Sequence, residues 1–250
     1  MIDPANVSPW LWIVAPLTIV AAYTVFGMSG FGSTMISIPI LAHFLPIAFL
    51  VPLMVLLDLC ASLVIGGGDR RHVSREEMLR IVPLGFVGIV LGVTLLVKLP
   101  QEWLRAALGL FAIVVGVNGI VNPVLTRTIS RLWAIPTGLV GGATSALFGA
   151  GGPVYATYLS GRLRDKSEIR ATVSSLISIS AFTRAIVYAA TGLLLHLAML
   201  AAMAFLAPFA WVGFKLGTRI HVGLSQTQMR RVLGVMLVAS GSSLLLRLLL

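Results

Sequence analysis

Eight apolar stretches separate the charged residues of this chain, at about 10–45, 47–66, 78–97, 103–122, 132–160, 171–191, 195–216 and 229–249. Six have the length of one membrane-crossing helix, about 20 residues. The other two, 10–45 and 132–160, are too long. As straight helices they would reach about 54 and 43 Å at 1.5 Å per residue, against roughly 30 Å of hydrocarbon. Each holds a glycine cluster, "FGMSGFGST" at 26–34 and "ALFGAGGPVY" at 146–155. Glycine is the poorest helix former after proline. The pattern therefore predicts an all-α membrane protein in which two of the helices are broken.

Composition narrows the class. Of 250 residues, 58% are apolar and 10% charged, where a soluble domain carries roughly a quarter charged. The net charge of +10 is accounted for by basic cytoplasmic loops and calls for no nucleic acid; lipid is the expected surrounding. The single cysteine, Cys60, excludes an intrachain disulfide, and the four histidines (His43, His72, His196, His221) show no ligand spacing. No metal or cofactor is expected. The opening "MIDPANVSPW" has neither a basic n-region nor a small-residue cleavage site, so no cleaved signal peptide is expected.

The chain also repeats itself. Adding 125 to positions 83–116 gives 208–241 without a gap and pairs Pro83 with Pro208, Gly88 with Gly213, Gly92 with Gly217, Gln101 with Gln226, Arg105 with Arg230, Gly109 with Gly234 and Gly116 with Gly241. The glycine clusters align at a shift of 119, Gly30 on Gly149 and Gly32 on Gly151. Two homologous halves follow, 1–122 and 132–250, joined by a cytoplasmic linker at 123–131.

Basic residues set the orientation. If each broken segment is a re-entrant hairpin, entering and leaving on one face, fourteen lysines and arginines fall inside and three (Lys98, Arg105, Arg247) outside, with Arg184 in a span. That is a strong positive-inside bias. A hairpin plus three spans crosses the membrane an odd number of times, so the halves are inverted and both termini are periplasmic. Inverted repeats with broken helices are the build of secondary transporters, with the site near midplane.

Over nearly its whole length the chain resembles the TauE/SafE sulfite exporter family of membrane transporters. The resemblance rests on "GMSGFGSTMISIPIL", "GGATSALFGAGGPVY", "RLRDKSEIRATVSSLISISAFTRAIVYAATG" and "WVGFKLGTRI", in this order and spacing. It implies passage of small sulfur- or carbon-containing anions, such as sulfite, thiosulfate or the sulfonate sulfoacetate, across a bacterial inner membrane. It leaves the particular anion, the direction of transport and the oligomeric state open.

The residues themselves point to an anion site. Broken backbone in lipid is tolerated where it lines a polar cavity or is buried in protein, and half-helix N-termini present free N–H groups and a positive dipole end. Ser29, Gly30, Gly32, Ser33 and Thr34 in the first cluster, and Gly149, Gly151 and Gly152 in the second, are the candidate donors. The competing account is that small residues only let helices pack closely. Arg184, mid-span, is costly in lipid and its donor fork suits a sulfonate or carboxylate. Asp58 is either its ion-pair partner, since 58 plus 125 falls at Thr183, or a proton carrier. Lys215 is either a snorkelling lysine or part of an inner vestibule. Tyr155, Tyr188 and the hydroxyls of 172–180 are weaker candidates for the route.

Two rival classes remain. "GMSG" at 27–30 matches the serine setting of rhomboid-type intramembrane proteases, with Ser29 as nucleophile. That chemistry needs a histidine within reach, and none falls mid-span. An anion channel of the same architecture is the other. The expectation carried forward is a non-enzymatic transporter in which one repeat rocks against the other.

Overall fold

The computed structural model describes residues 9–29, 32–65, 72–121, 129–194, 197–219 and 226–249. Among them the regular structure is helical, with no strand: α1 Leu11–Ser29, α2 Ser33–Leu41, α3 Ile47–Ile65, α4 Arg75–Lys98, α5 Gln101–Val121, α6 Ala134–Phe148, α7 Gly152–Ser160, α8 Lys166–Ala190, α9 Leu197–Arg219 and α10 Gln226–Leu249. A 3₁₀ turn, Arg131–Trp133, leads into α6. Most of the linker expected at 123–131 lies outside the described residues.

Both overlong stretches are divided. The stretch 10–45 becomes α1 and α2, and 132–160 becomes α6 and α7. Gly149 ends α6 with φ 67°, and Gly32 precedes α2 with φ 100°. Both are left-handed conformations that a Cβ disfavours. Pro153 stands in the first turn of α7, where its missing N–H costs no helical bond. The divisions are unequal: α1 has 19 residues and α2 has 9, α6 has 15 and α7 has 9. So α1 is by itself of crossing length, whereas α2 and α7 reach about 14 Å each.

Among the described residues, six helices are long and apolar enough to cross a membrane: α1, α4, α5, α8, α9 and α10, and α3 carries a shorter apolar run, Ile47–Ala61. Large apolar side chains such as Leu17, Phe86, Trp103 and Ile186 lie on the outside. A solvated surface would not tolerate so continuous an apolar exterior, and the chain is a multi-pass membrane protein.

Three close seams organise the bundle, and all are lined by glycine. Along α1 and α9, a methyl at Gly213 would land on the carbonyl of Val20, and one at Gly217 on that of Thr24. Along α4 and α6, a methyl at Gly88 would land on the carbonyl of Leu139, and one at Gly92 on that of Ala143. Both pairs run side by side in the same direction. The two seams correspond residue for residue, since Val20 and Thr24 become Leu139 and Ala143 on adding 119, and Gly88 and Gly92 become Gly213 and Gly217 on adding 125. In the third seam α5 opposes α10 in the reverse direction, Gly109 against Gly241 and Gly116 against Gly234.

The remaining contacts make two groups of four. α1 and α3 pack with α9, and α2 packs on α1 and α3; α6 and α8 pack with α4, and α7 packs on α6 and α8. Each group thus takes three helices from one half of the sequence and one from the other. They meet where α3 faces α8.

Candidate functional site

The two breaks touch. The Thr34 hydroxyl, in the first turn of α2, donates to the carbonyl of Gly149 at 2.8 Å; Thr34 is buried and Gly149 half-buried. Ser33, one residue earlier, donates to Asp58 Oδ1 at 2.8 Å, and the Tyr23 hydroxyl reaches the same oxygen at 2.7 Å. One carboxylate oxygen on α3 therefore joins α1 to the start of α2.

Arg184 stands at the other break. It is 3% exposed, and its Nη1 donates to the carbonyl of Ser145 at 2.8 Å, with a longer bond from Nε to Ser180 at 3.4 Å. Ser145 lies in the last turn of α6, and its carbonyl also closes the helix by accepting the Gly149 N–H. Tyr188, one turn beyond Arg184, donates to the carbonyl of Ala146 at 2.5 Å. A cation and a hydroxyl thus meet the negative end of α6, where positive charge is favoured.

The N-terminal amides complete the region. Among the described residues, the N–H groups of Ser33, Thr34 and Met35 in α2, and of Gly151 and Gly152 at α7, have no backbone partner, as the geometry of a helix start requires. Gly151 sits so close to Ser145 and the carbonyl of Gly141 that a Cβ would not fit. Tyr155 lays its ring on Gly141. The Ser180 hydroxyl is buried with no hydrogen-bond partner among the described residues. Beside the Thr34–Gly149 contact is a small crevice lined by Thr34, Met35, Leu108, Phe111, Phe148 and Ala150. Its lining is apolar apart from the Thr34 hydroxyl, so it offers an anion no charged partner.

Ser33, Thr34, Gly149, Gly151, Gly152 and Arg184 therefore fall in one region, with Asp58 at its α3 edge. Gly30 and the side chain of Ser29 lie outside the described residues. Asp58 and Arg184 make no ion pair within 4 Å, although the arginine's charge acts on the carboxylate. Lys215 is exposed, with its Nζ 4.9 Å from the centre of the Trp211 ring. That face of α9 is opposite the Gly213–Gly217 seam, so the lysine points outward rather than into the bundle. The hydroxyls of Ser178 and Thr183 bond back to their own helix, as is usual in membrane helices. His43, the histidine nearest the first break in sequence, bonds to the carbonyls of Pro39 and Ile40 and to Ser243.

A second polar cluster has no counterpart among the sequence expectations. Glu77 on α4 is 1% exposed. It accepts from Tyr158 at 2.7 Å, from Arg162 through two nitrogens at 3.2 Å, and from Arg80 at 3.3 Å. Arg162 continues to the carbonyl of Ile129. The end of α7 is thereby tied to the start of α4.

Apolar helices, two backbone breaks in contact and a buried arginine at one of them define a membrane transporter. The family model for the sulfite exporter TauE/SafE matches residues 15–244, and the chain belongs to that family. It is 31% identical, over 194 residues, to the probable inner membrane transporter protein TsaS of Comamonas testosteroni, covering 77% of this chain and 81% of that one. No solved structure matches it significantly.

Proposed function

We propose that the chain moves small sulfur oxyanions, such as sulfite, thiosulfate or a sulfonate like sulfoacetate, and holds them between the two breaks. The observation that carries this reading is the meeting of Thr34 with Gly149 beside Arg184. On this reading the amides at the starts of α2 and α7 and the guanidinium of Arg184 share the anion, supported by the contacts of Thr34 with Gly149 and of Arg184 with Ser145 on the same end of α6. Amides, hydroxyls and a planar cation are the donors that a sulfur oxyanion accepts. Family membership supports the substrate class.

The proposed architecture is a pair of inverted repeats, each opened by a re-entrant hairpin. The matched seams support it: α1 with α9 and α4 with α6 run in parallel, and α5 opposes α10, as that topology requires. The hairpins are supported by Gly151 lying against Ser145 and Gly141, with Tyr155 further back on Gly141, so that α7 returns along α6. The basic ends then lie inside and both termini outside. Access alternates as the two groups of four helices tilt about the α3–α8 contact. The moving bodies are these mixed groups rather than the sequence halves.

The test is saturable exchange by purified protein in vesicles. Thiosulfate flux should saturate and be lost in Arg184→Ala while the protein stays folded. Unchanged flux in that variant would remove Arg184 from the site, and linear, unsaturable conductance would make the protein a channel. Cysteine labelling in a Cys60→Ser background should place 69–77 and 161–170 on the same face; opposite faces would sink the inverted topology.

A further inference from the structure

We propose that Asp58 carries a proton in step with the anion, taking one up as the anion enters the site and releasing it as the anion leaves. The inference rests on the anion site described above.

Asp58 is a carboxylate inside an apolar helix, and no lysine, arginine or histidine lies within 4 Å of it among the described residues. A charge at that depth without a counter-ion is costly, so the group is fit to change its charge state. Its hydrogen bonds permit the change. Both donors, Tyr23 and Ser33, reach Oδ1, and none among the described residues reaches Oδ2. A neutral acid with its proton on Oδ2 keeps a carbonyl oxygen at Oδ1 that still accepts both. The step is a carboxylate plus one proton giving a carboxylic acid, and no other bond is made or broken.

The surroundings make anion and proton interdependent. From α1 the carboxylate is faced by Tyr23, and from α8 the charge of Arg184 acts on it. The helices α2 and α6 hold no titratable residue, and Lys215 of α9 lies outward over Trp211. The charged residues of α4 and α5 sit near the ends of those helices. With Asp58 ionised and Arg184 charged but not in contact, the empty region carries no net formal charge. An arriving anion makes it negative, and a proton on Asp58 offsets one charge. Ser33 adds a mechanical link: Asp58 holds the first residue of α2, and Thr34 beside it reaches the second break. Charge at Asp58 and the fit of the two breaks are therefore felt by the same turn of helix.

The experiment uses the purified full chain in detergent, weakly buffered, with a pH-indicating dye. Thiosulfate and sulfoacetate are the probes, because their own charges do not change near neutral pH. Wild type should take up one proton per anion bound, and affinity should weaken by up to about tenfold for each pH unit of increase, the slope for one linked proton. Asp58→Asn keeps an oxygen that accepts both hydroxyls; it should bind with no proton uptake and with affinity flat in pH. Wild-type binding with no proton uptake would overturn the proposal while leaving the anion site standing, and so would an Asp58→Asn variant that takes up protons as wild type does. If that variant does not fold, the wild-type proton count alone decides. Binding of neither probe to wild type would overturn the anion site, and this inference with it.

Discussion

Thr34 donates its hydroxyl to the carbonyl of Gly149, 115 residues further along the chain. Each residue belongs to one of the two places where the helical backbone is interrupted, so one hydrogen bond couples the breaks. Thr34→Val keeps the side chain's shape and removes the donor. It should cost about 1 kcal/mol of stability and lower anion flux by more than that loss implies, while Thr34→Ser keeps both. Thermal unfolding and vesicle flux, measured on the same preparations, check the difference.

Gly149 and Gly192 form a matched comparison. Both have positive φ, 67° and 77°, but a Cβ at Gly149 would come 2.7 Å from that of Thr34, whereas one at Gly192 would meet nothing within 4 Å. Gly192→Ala should lose about 1–2 kcal/mol, the cost of a left-handed residue, with flux retained. Gly149→Ala should lose that and roughly 1–3 kcal/mol more from overpacking, with flux abolished. Equal behaviour of the two variants would mean that the Gly149 contact has no part in transport.

The carboxylate of Glu77 lies under two arginines and a tyrosine. Removing one member of a buried ion pair costs about 3–5 kcal/mol. Arg162 and Arg80 keep side-chain exposures of 19% and 30%, so Glu77→Ala should sit near the lower figure. Tyr158→Phe should cost about 1 kcal/mol. A double-mutant cycle between Glu77 and Arg162, read by thermal unfolding, should show coupling; simple additivity would mean that the network adds nothing to stability.

The seams predict paired effects. Gly88→Ala and Gly213→Ala each drive a methyl onto a backbone carbonyl, of Leu139 and of Val20 respectively. Each should lose about 1–3 kcal/mol, and the two losses should agree closely. A large loss at one position with none at the other would contradict the equivalence of the seams.

Much of this arrangement is legible in the chain itself, and the part that is not has a physical reason. Gly32 and Gly149 mark the breaks because few other residues bear their positive φ, and Arg184 stands out because charge is costly in lipid. The partner of Arg184 is harder to read. Counting along helices gives Asp58 and Arg184 similar depths but not the directions their side chains take. The arginine meets the Ser145 carbonyl, a backbone group that no sequence pattern marks. The Glu77 cluster escapes for a similar reason, since Tyr158 and Arg162 are 81 and 85 residues away. Lys215 was ambiguous between inside and outside until the glycines beside it fixed which face of α9 meets α1.

The exchange of α4 and α9 between the two groups bears on how the protein is made. Chains emerge from the ribosome N-terminus first, and the N-terminal part generally folds first. Here α1 lies in the membrane with its seam open until α9 has been synthesised, and α4 waits for α6. A nascent chain stopped after α5 would present three open seam faces to lipid, on α1, α4 and α5, each fitted to a helix that does not yet exist. Insertion of the second half is then the act that completes the first, and the two halves expressed as separate polypeptides should recover activity only when present together.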